Sequence, residues 1–239
     1  MQQTGLGRIE ALDLARTFAL ACMIVFHFTF DLMIFGHVPA GTVFQGFWPY
    51  FARGIAGSFL FLAGVSLWLA HGQGVRWPGF WRRFGMLLAA AIVISVTTWA
   101  GMGDAWIRWG ILHAIAGTSL IGLLFLRAPW MLTLVVAAAT FFAPYSLRAD
   151  GFNSPWLLWV GLSTEVPPMV DYLPVLPWLA PLLVGIVAAR WIPWDKLRTT
   201  PTPLTRALGA PGRHGLAVYL IHQPVLFGAV WAYSEFTSG

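Results

Sequence analysis

The first apolar run of the chain, RIEALDLARTFALACMIVFHFTFDL, carries Asp13, Arg16, His27 and Asp31 among residues that otherwise avoid water. On a helix, at about 100° per residue, Asp13, Leu20, His27 and Asp31 fall within roughly 40° of one another, with Arg16 close by. His27 and Asp31 stand one helical turn apart, so their side chains are neighbours. A carboxylate beside an imidazole fixes its tautomer and raises its basicity, which suits a general base. The plainer alternative is a buried histidine satisfied by an acid for packing alone. Asp13 and Arg16, near the start of the run, read either as an interfacial ion pair or as a contact for an anionic ligand, since arginine matches phosphate well.

Two further histidines stand in apolar runs. His113 lies in WIRWGILHAIAG, and His222 lies in GRHGLAVYLIHQPV with Tyr219 one turn before it on the same face. By rise per residue, His27 is about 20–25 Å from the start of its helix. This counting puts His27, Asp31 and His113 in the outer half of the layer and His222 deeper on the inner side. Each also admits a structural reading, as an interhelical hydrogen bond. His37 is expected in an outer loop, His71 at an inner helix end, and His214 beside Arg213 at the interface. The phosphate-binding glycine loop, the H-E-x-x-H metal motif and the GxSxG hydrolase elbow do not occur in the sequence.

The elements that must hold these residues are membrane helices. An ionisable residue in such a helix costs about 2.5–3.5 kcal/mol on insertion scales, which makes each a functional candidate. Of 239 residues, 58% are hydrophobic and only 10% charged, and the mean hydropathy is +0.72. A soluble domain carries about 25% charged residues, so this chain has too few to cover a surface in water. Runs near the length of about 20 residues that a span requires occur at Ala11–Phe35, Ala52–Ala70, Phe80–Ala100, Ile107–Leu126, Trp130–Ser146, Leu173–Ile192 and Leu216–Phe236. The expected fold is an all-α bundle of about seven transmembrane helices forming one domain over residues 1–239. The N-terminal run is too long and lacks the small-residue cleavage site of a signal peptide, so it reads as a signal anchor.

Charge distribution supports that layout. With seven spans, Arg8, Arg16, Arg76, Arg82, Arg83, Arg127, Arg190, Lys196, Arg198, Arg206 and Arg213 share one side, and only Arg53, Arg108 and Arg148 remain of the 14 basic residues. By the positive-inside rule the N-terminus is cytoplasmic and the C-terminus external. The net charge of +5 is spread singly between apolar runs, which argues against a nucleic-acid partner. Cys22 is the only cysteine, so no intrachain disulfide can form. Gly110, Ala114, Thr118 and Gly122 make a small-residue face along which helices can approach closely. The loop from about Leu147 to Tyr172, with Trp156 and Trp159, reads as an interfacial segment or as a lid over a site.

Taken together, RIEALDLAR…MIVFHFTFDL, SFLFLAGVSLWLA, RFGMLL, RWGILHAIAG and GRHGLAVYLIHQPVLFG resemble, in order and over nearly the whole chain, short bacterial members of the heparan-alpha-glucosaminide N-acetyltransferase catalytic-domain family. The resemblance implies an enzyme of the inner membrane that takes an acetyl group from cytoplasmic acetyl-CoA to a sugar amine or hydroxyl on the far side. It implies a catalytic histidine, a role that falls on His27 with Asp31 and His113, while His37 stands as a rival. Arg16, Asp13, His222 and Tyr219 are then the candidates for holding the donor. Thr17 departs from the pattern, standing where a glycine is expected after the arginine. Expected partners are acetyl-CoA, a glycan or other small acceptor, and membrane lipids; a homo-oligomer is compatible with the sequence.

Intramembrane His and Asp also serve proton movement, so a small-molecule transporter or proton relay is the alternative class. Uptake into proteoliposomes without CoA would favour it. Paired histidines can also be axial haem ligands, which Soret absorbance would reveal.

Overall fold

A computed structural model of the chain describes residues 9–197, 200 and 202–238; Arg8 and Arg198 of the charge argument lie outside them. The described residues are helical, with no strand beyond an isolated bridge between Trp109 and Tyr172. In order the helices are α1 (Glu10–Ile34), α2 (Trp48–His71), α3 (Trp77–Met102), α4 (Ile111–Gly122), α5 (Trp130–Ser146), α6 (Val175–Trp191), α7 (Pro203–Leu208), α8 (Ala210–Arg213) and α9 (Gly215–Ser238). Each of the seven apolar runs read from the sequence overlaps one of the helices α1 to α6 and α9, though the run Ile107–Leu126 is helical as α4 only over Ile111–Gly122.

Four of these are long and apolar enough to cross a membrane: Glu10–Ile34, Trp48–His71, Trp77–Ala105 and Gly215–Thr237. The apolar helices Ile111–Phe125, Trp130–Ser146 and Val175–Trp191 are shorter. At about 1.5 Å per residue the longest of them reach roughly 25 Å, against a hydrocarbon core of about 30 Å. Large apolar side chains are exposed on the helices, among them Phe18 (73% exposed), Val135 (65%) and Val225 (60%). Such a surface is compatible with lipid and unfavourable in water.

The chain divides into two compact units, residues 1–56 with 193–239 and residues 57–192. In the first, α1 contains neither Gly nor Pro, carries Glu10 and Asp13 at its positive end, and stops at Gly36, whose φ of 78° is left-handed. The His37 N–H closes that end on the Leu32 carbonyl at 2.8 Å. Helices α7, α8 and α9 pack along α1. Gly212 in α8 lies so close to the Asp13 carbonyl that a Cβ there would collide with it. The Thr17 hydroxyl accepts the Gly212 N–H at 2.9 Å and donates to the Asp13 carbonyl at 3.1 Å. Thr17 thus has a definite task at the position where a glycine was expected.

The second unit is held by close helix contacts. Gly64 of α2 sits against the Leu182 carbonyl of α6, and Gly185 of α6 against the Phe61 carbonyl of α2. Glycine at both points lets the two backbones touch. The face of Gly110, Ala114, Thr118 and Gly122 is buried, as its small residues suggested, with Gly122 against Leu67 and Leu182.

Candidate functional site

In the first unit, α1 and α9 run parallel and nearly in register. An offset of 195 residues joins Glu10 to Thr205 and Thr17 to Gly212, and it recurs at Leu20 with Gly215 and at His27 with His222. The consequence corrects the level expected for His222. Because α8 seats about two turns along α1, α9 starts beside Leu20 instead of at the helix end. His222 therefore lies level with His27, ring centroids 5.0 Å apart and edge to face, and not deeper toward the inner side.

Hydrogen bonding sets the chemistry of this pair. His222 Nδ1 lies 2.6 Å from the Tyr219 carbonyl oxygen. A carbonyl only accepts, so Nδ1 carries the hydrogen, and in the neutral ring Nε2 presents its lone pair. That Nε2 is buried and has no partner among the described residues. Pro224, two residues on, supplies no N–H to this turn of α9.

Asp31 is fully buried, but it does not pair with His27 as the spacing suggested. Its Oδ1 accepts the Gln223 amide at 2.8 Å. The carboxylate also fixes which way the amide points, because its NH₂ must face the acid. Asp31 Oδ2 and Gln223 Oε1 are left buried and unpartnered among the described residues. An unmade hydrogen bond at a buried group costs about 1–3 kcal/mol. Three such acceptors in one cluster make a poor packing device and a good receptor for a ligand that brings N–H or O–H groups. Gln223 escaped the sequence reading; the signal was there in HQP, an amide next to a histidine and a proline inside an apolar run.

The remaining candidates have other surroundings. Arg16 pairs with Asp13 at 3.1 Å, and Asp13 is buried beside α8, so the ion pair anchors that turn. Tyr219 contributes its carbonyl to His222. His37 is exposed, with Nε2 2.7 Å from the Ser234 hydroxyl.

His113 belongs to the second unit. Its Nδ1 accepts the Gly110 N–H at 3.3 Å, so in the neutral ring Nε2 is a donor. Beside it, Trp109 lies 5.4 Å from His113 and 6.1 Å from Trp159 between ring centroids. Asp171, from the loop before α6, accepts the Ile111 N–H at 2.9 Å and so caps α4. Burial pushes the Asp171 carboxyl up to about 6, against the opposing pull of that N–H. The long loop is itself folded. Asn153 Oδ1 accepts the backbone N–H groups of Thr164 and Glu165, and the Tyr172 hydroxyl donates to the Leu158 carbonyl at 2.7 Å. Among the described residues there is no cluster of three His, Cys, Asp or Glu fit for a metal ion.

Fold and site define a class: an all-helical membrane protein with a histidine-centred polar cluster buried among apolar helices. The profile of the heparan-alpha-glucosaminide N-acetyltransferase catalytic family matches residues 8–224, and the chain belongs to that family. The match runs from the start of α1 to just past Gln223, taking in both clusters. Membership implies a membrane N-acetyltransferase. No curated protein and no solved structure matches the chain.

Proposed function

We propose that the chain is a single-domain membrane acyltransferase that moves an acetyl group from cytoplasmic acetyl-CoA to an amine or hydroxyl of a sugar or other small acceptor on the external side. The observation that carries this reading is the unpartnered Nε2 of His222, held as a lone-pair nitrogen by the Tyr219 carbonyl and faced by His27. In this reading His222 takes the proton from the attacking acceptor as its nitrogen or oxygen bonds to the thioester carbonyl, and the C–S bond breaks to release CoA. His27 is the second ring of the pair, as relay partner or as the nucleophile that carries the acetyl group between donor and acceptor. Asp31 Oδ2 and Gln223 Oε1 accept hydrogens from the acceptor. Arg16 stays our candidate for the donor's anionic head. We assign His113 to the α4 end and not to the reacting atoms.

The seven-helix topology, with the N-terminus cytoplasmic in a bacterial inner membrane, belongs to the same proposal. The parallel run of α1 and α9 favours it, since two spans that cross in the same direction imply an odd number of crossings. The basic residues on one side favour it too.

The test uses purified protein in nanodiscs with acetyl-labelled acetyl-CoA, following label transfer to amines and release of free CoA. Turnover by the wild type that disappears in both His222→Ala and His27→Ala supports the reading. Turnover that persists in both overturns it, and CoA-independent uptake into proteoliposomes would put the transporter in its place.

A further inference from the structure

The end of the second unit where α2 closes and α3 begins holds an open cavity of about 380 Å³. It is lined by His71, Trp77, Leu123, Leu124, Leu126 and Arg127, with no acidic residue. The polar side chains there are donors. The Arg76 backbone N–H bonds to His71 Nδ1 at 3.2 Å, so in the neutral ring Nε2 is a donor. Arg127 has no hydrogen bond or ion pair among the described residues, and its guanidinium lies over the turn at Gly74. Arg76 and Arg83 add positive charge around His71. The rest of the wall is apolar, with Leu124 78% and Trp77 51% exposed.

The position is as informative as the lining. Residues 72–76 join two helices that are each long enough to cross a membrane, so this turn sits at a water interface. A cationic cavity there, with donors as its polar side chains and an apolar flank, matches an amphiphile carrying a phosphate head and an acyl chain. We propose that it binds the headgroup of an anionic phospholipid, with Arg127 and His71 on the phosphate and Leu123 and Leu124 along the first part of the chain. Anionic lipids are attracted to such basic interfacial positions, and arginine holds phosphate through several donors at once. The proposal rests on the membrane reading and is independent of acetyl transfer.

The test is native mass spectrometry of protein released from mixed phosphatidylcholine and phosphatidylglycerol nanodiscs. Wild type retains phosphatidylglycerol preferentially, and Arg127→Gln lowers that retention about fivefold, as expected for one interfacial cation. Arg148→Gln, an exposed arginine on another loop, leaves it unchanged. Arg127 is itself exposed, and an unchanged melting temperature in phosphatidylcholine alone shows that the variant is folded. Equal retention by wild type and Arg127→Gln overturns the site. Displacement of the lipid by soluble adenosine 3′,5′-bisphosphate would overturn the lipid assignment and give the cavity to a soluble phosphate ligand. Neither result depends on whether the protein acetylates anything.

Discussion

His222 and His113 are both histidines in apolar helices, and their surroundings give them opposite chemistry. His222 meets a carbonyl, so its hydrogen is on Nδ1 and its lone pair is free. His113 meets an N–H, so its lone pair is used at the helix end and its other nitrogen donates. The acids divide in the same way. Asp31 keeps one oxygen without a partner beside Gln223, whereas Asp171 caps α4. One cluster holds three unmet acceptors, whereas the other leaves a buried donor, Trp109 Nε1, without a partner among the described residues. The comparison teaches that residue type and burial do not identify a catalytic histidine; the backbone group that its first nitrogen meets decides what the second can do.

The comparison breaks most readily at the histidines. His222→Ala should lower acetyl transfer by about 10²–10⁴-fold, the usual worth of a general base, while His113→Gln should leave the rate within a few-fold. Equal losses in the labelled acetyl-CoA assay would abolish the distinction. Gln223→Leu should cost about ten- to a hundredfold in kcat, since a hydrogen bond to a charged group is worth about 1.5–3 kcal/mol. Gln223→Glu should do worse, because it sets a second carboxylate beside Asp31.

Smaller effects sharpen the structural side. Thr17→Ala removes the bond to Gly212 that sets α9 in register, and should cost about 1 kcal/mol, read as a lower melting temperature in detergent. An accompanying loss of activity larger than the loss of stability would tie the register to the site. Asp171→Asn addresses the His113 cluster. The folded carboxyl, near 6, binds its proton more tightly than the ordinary value of 3.8. Its contribution is therefore full below about 4 and lost as the pH rises through about 6. The wild type should lose melting temperature across that interval, and the Asn variant should lose less. Identical slopes would show that Asp171 is not the titrating group.

Much of the fold was legible in the sequence because apolar length and composition act locally. Each of the seven apolar runs became helical, four of them in helices long enough to cross a membrane, and the spacing of Gly110, Ala114, Thr118 and Gly122 foretold a buried face. The clusters were legible only in part. His27, Asp31 and His222 could be named as costly residues in apolar runs, but helical geometry within one run suggested that His27 would pair with Asp31. Asp31 instead found a better donor, the Gln223 amide, on a helix almost two hundred residues away, and no spacing rule reaches that far.

What the sequence determined by itself is therefore the helical character, the apolar surface suited to lipid, the family and the residue types available for chemistry. The helical character and the apolar surface follow from side-chain hydrophobicity and short-range periodicity, and the family from the ordered motifs that the profile matches. Only the tertiary structure decided the level of His222 and the partner of Asp31. These depend on how far along α1 the turn at Gly212 is seated, and that is set by a backbone contact that only a glycine permits.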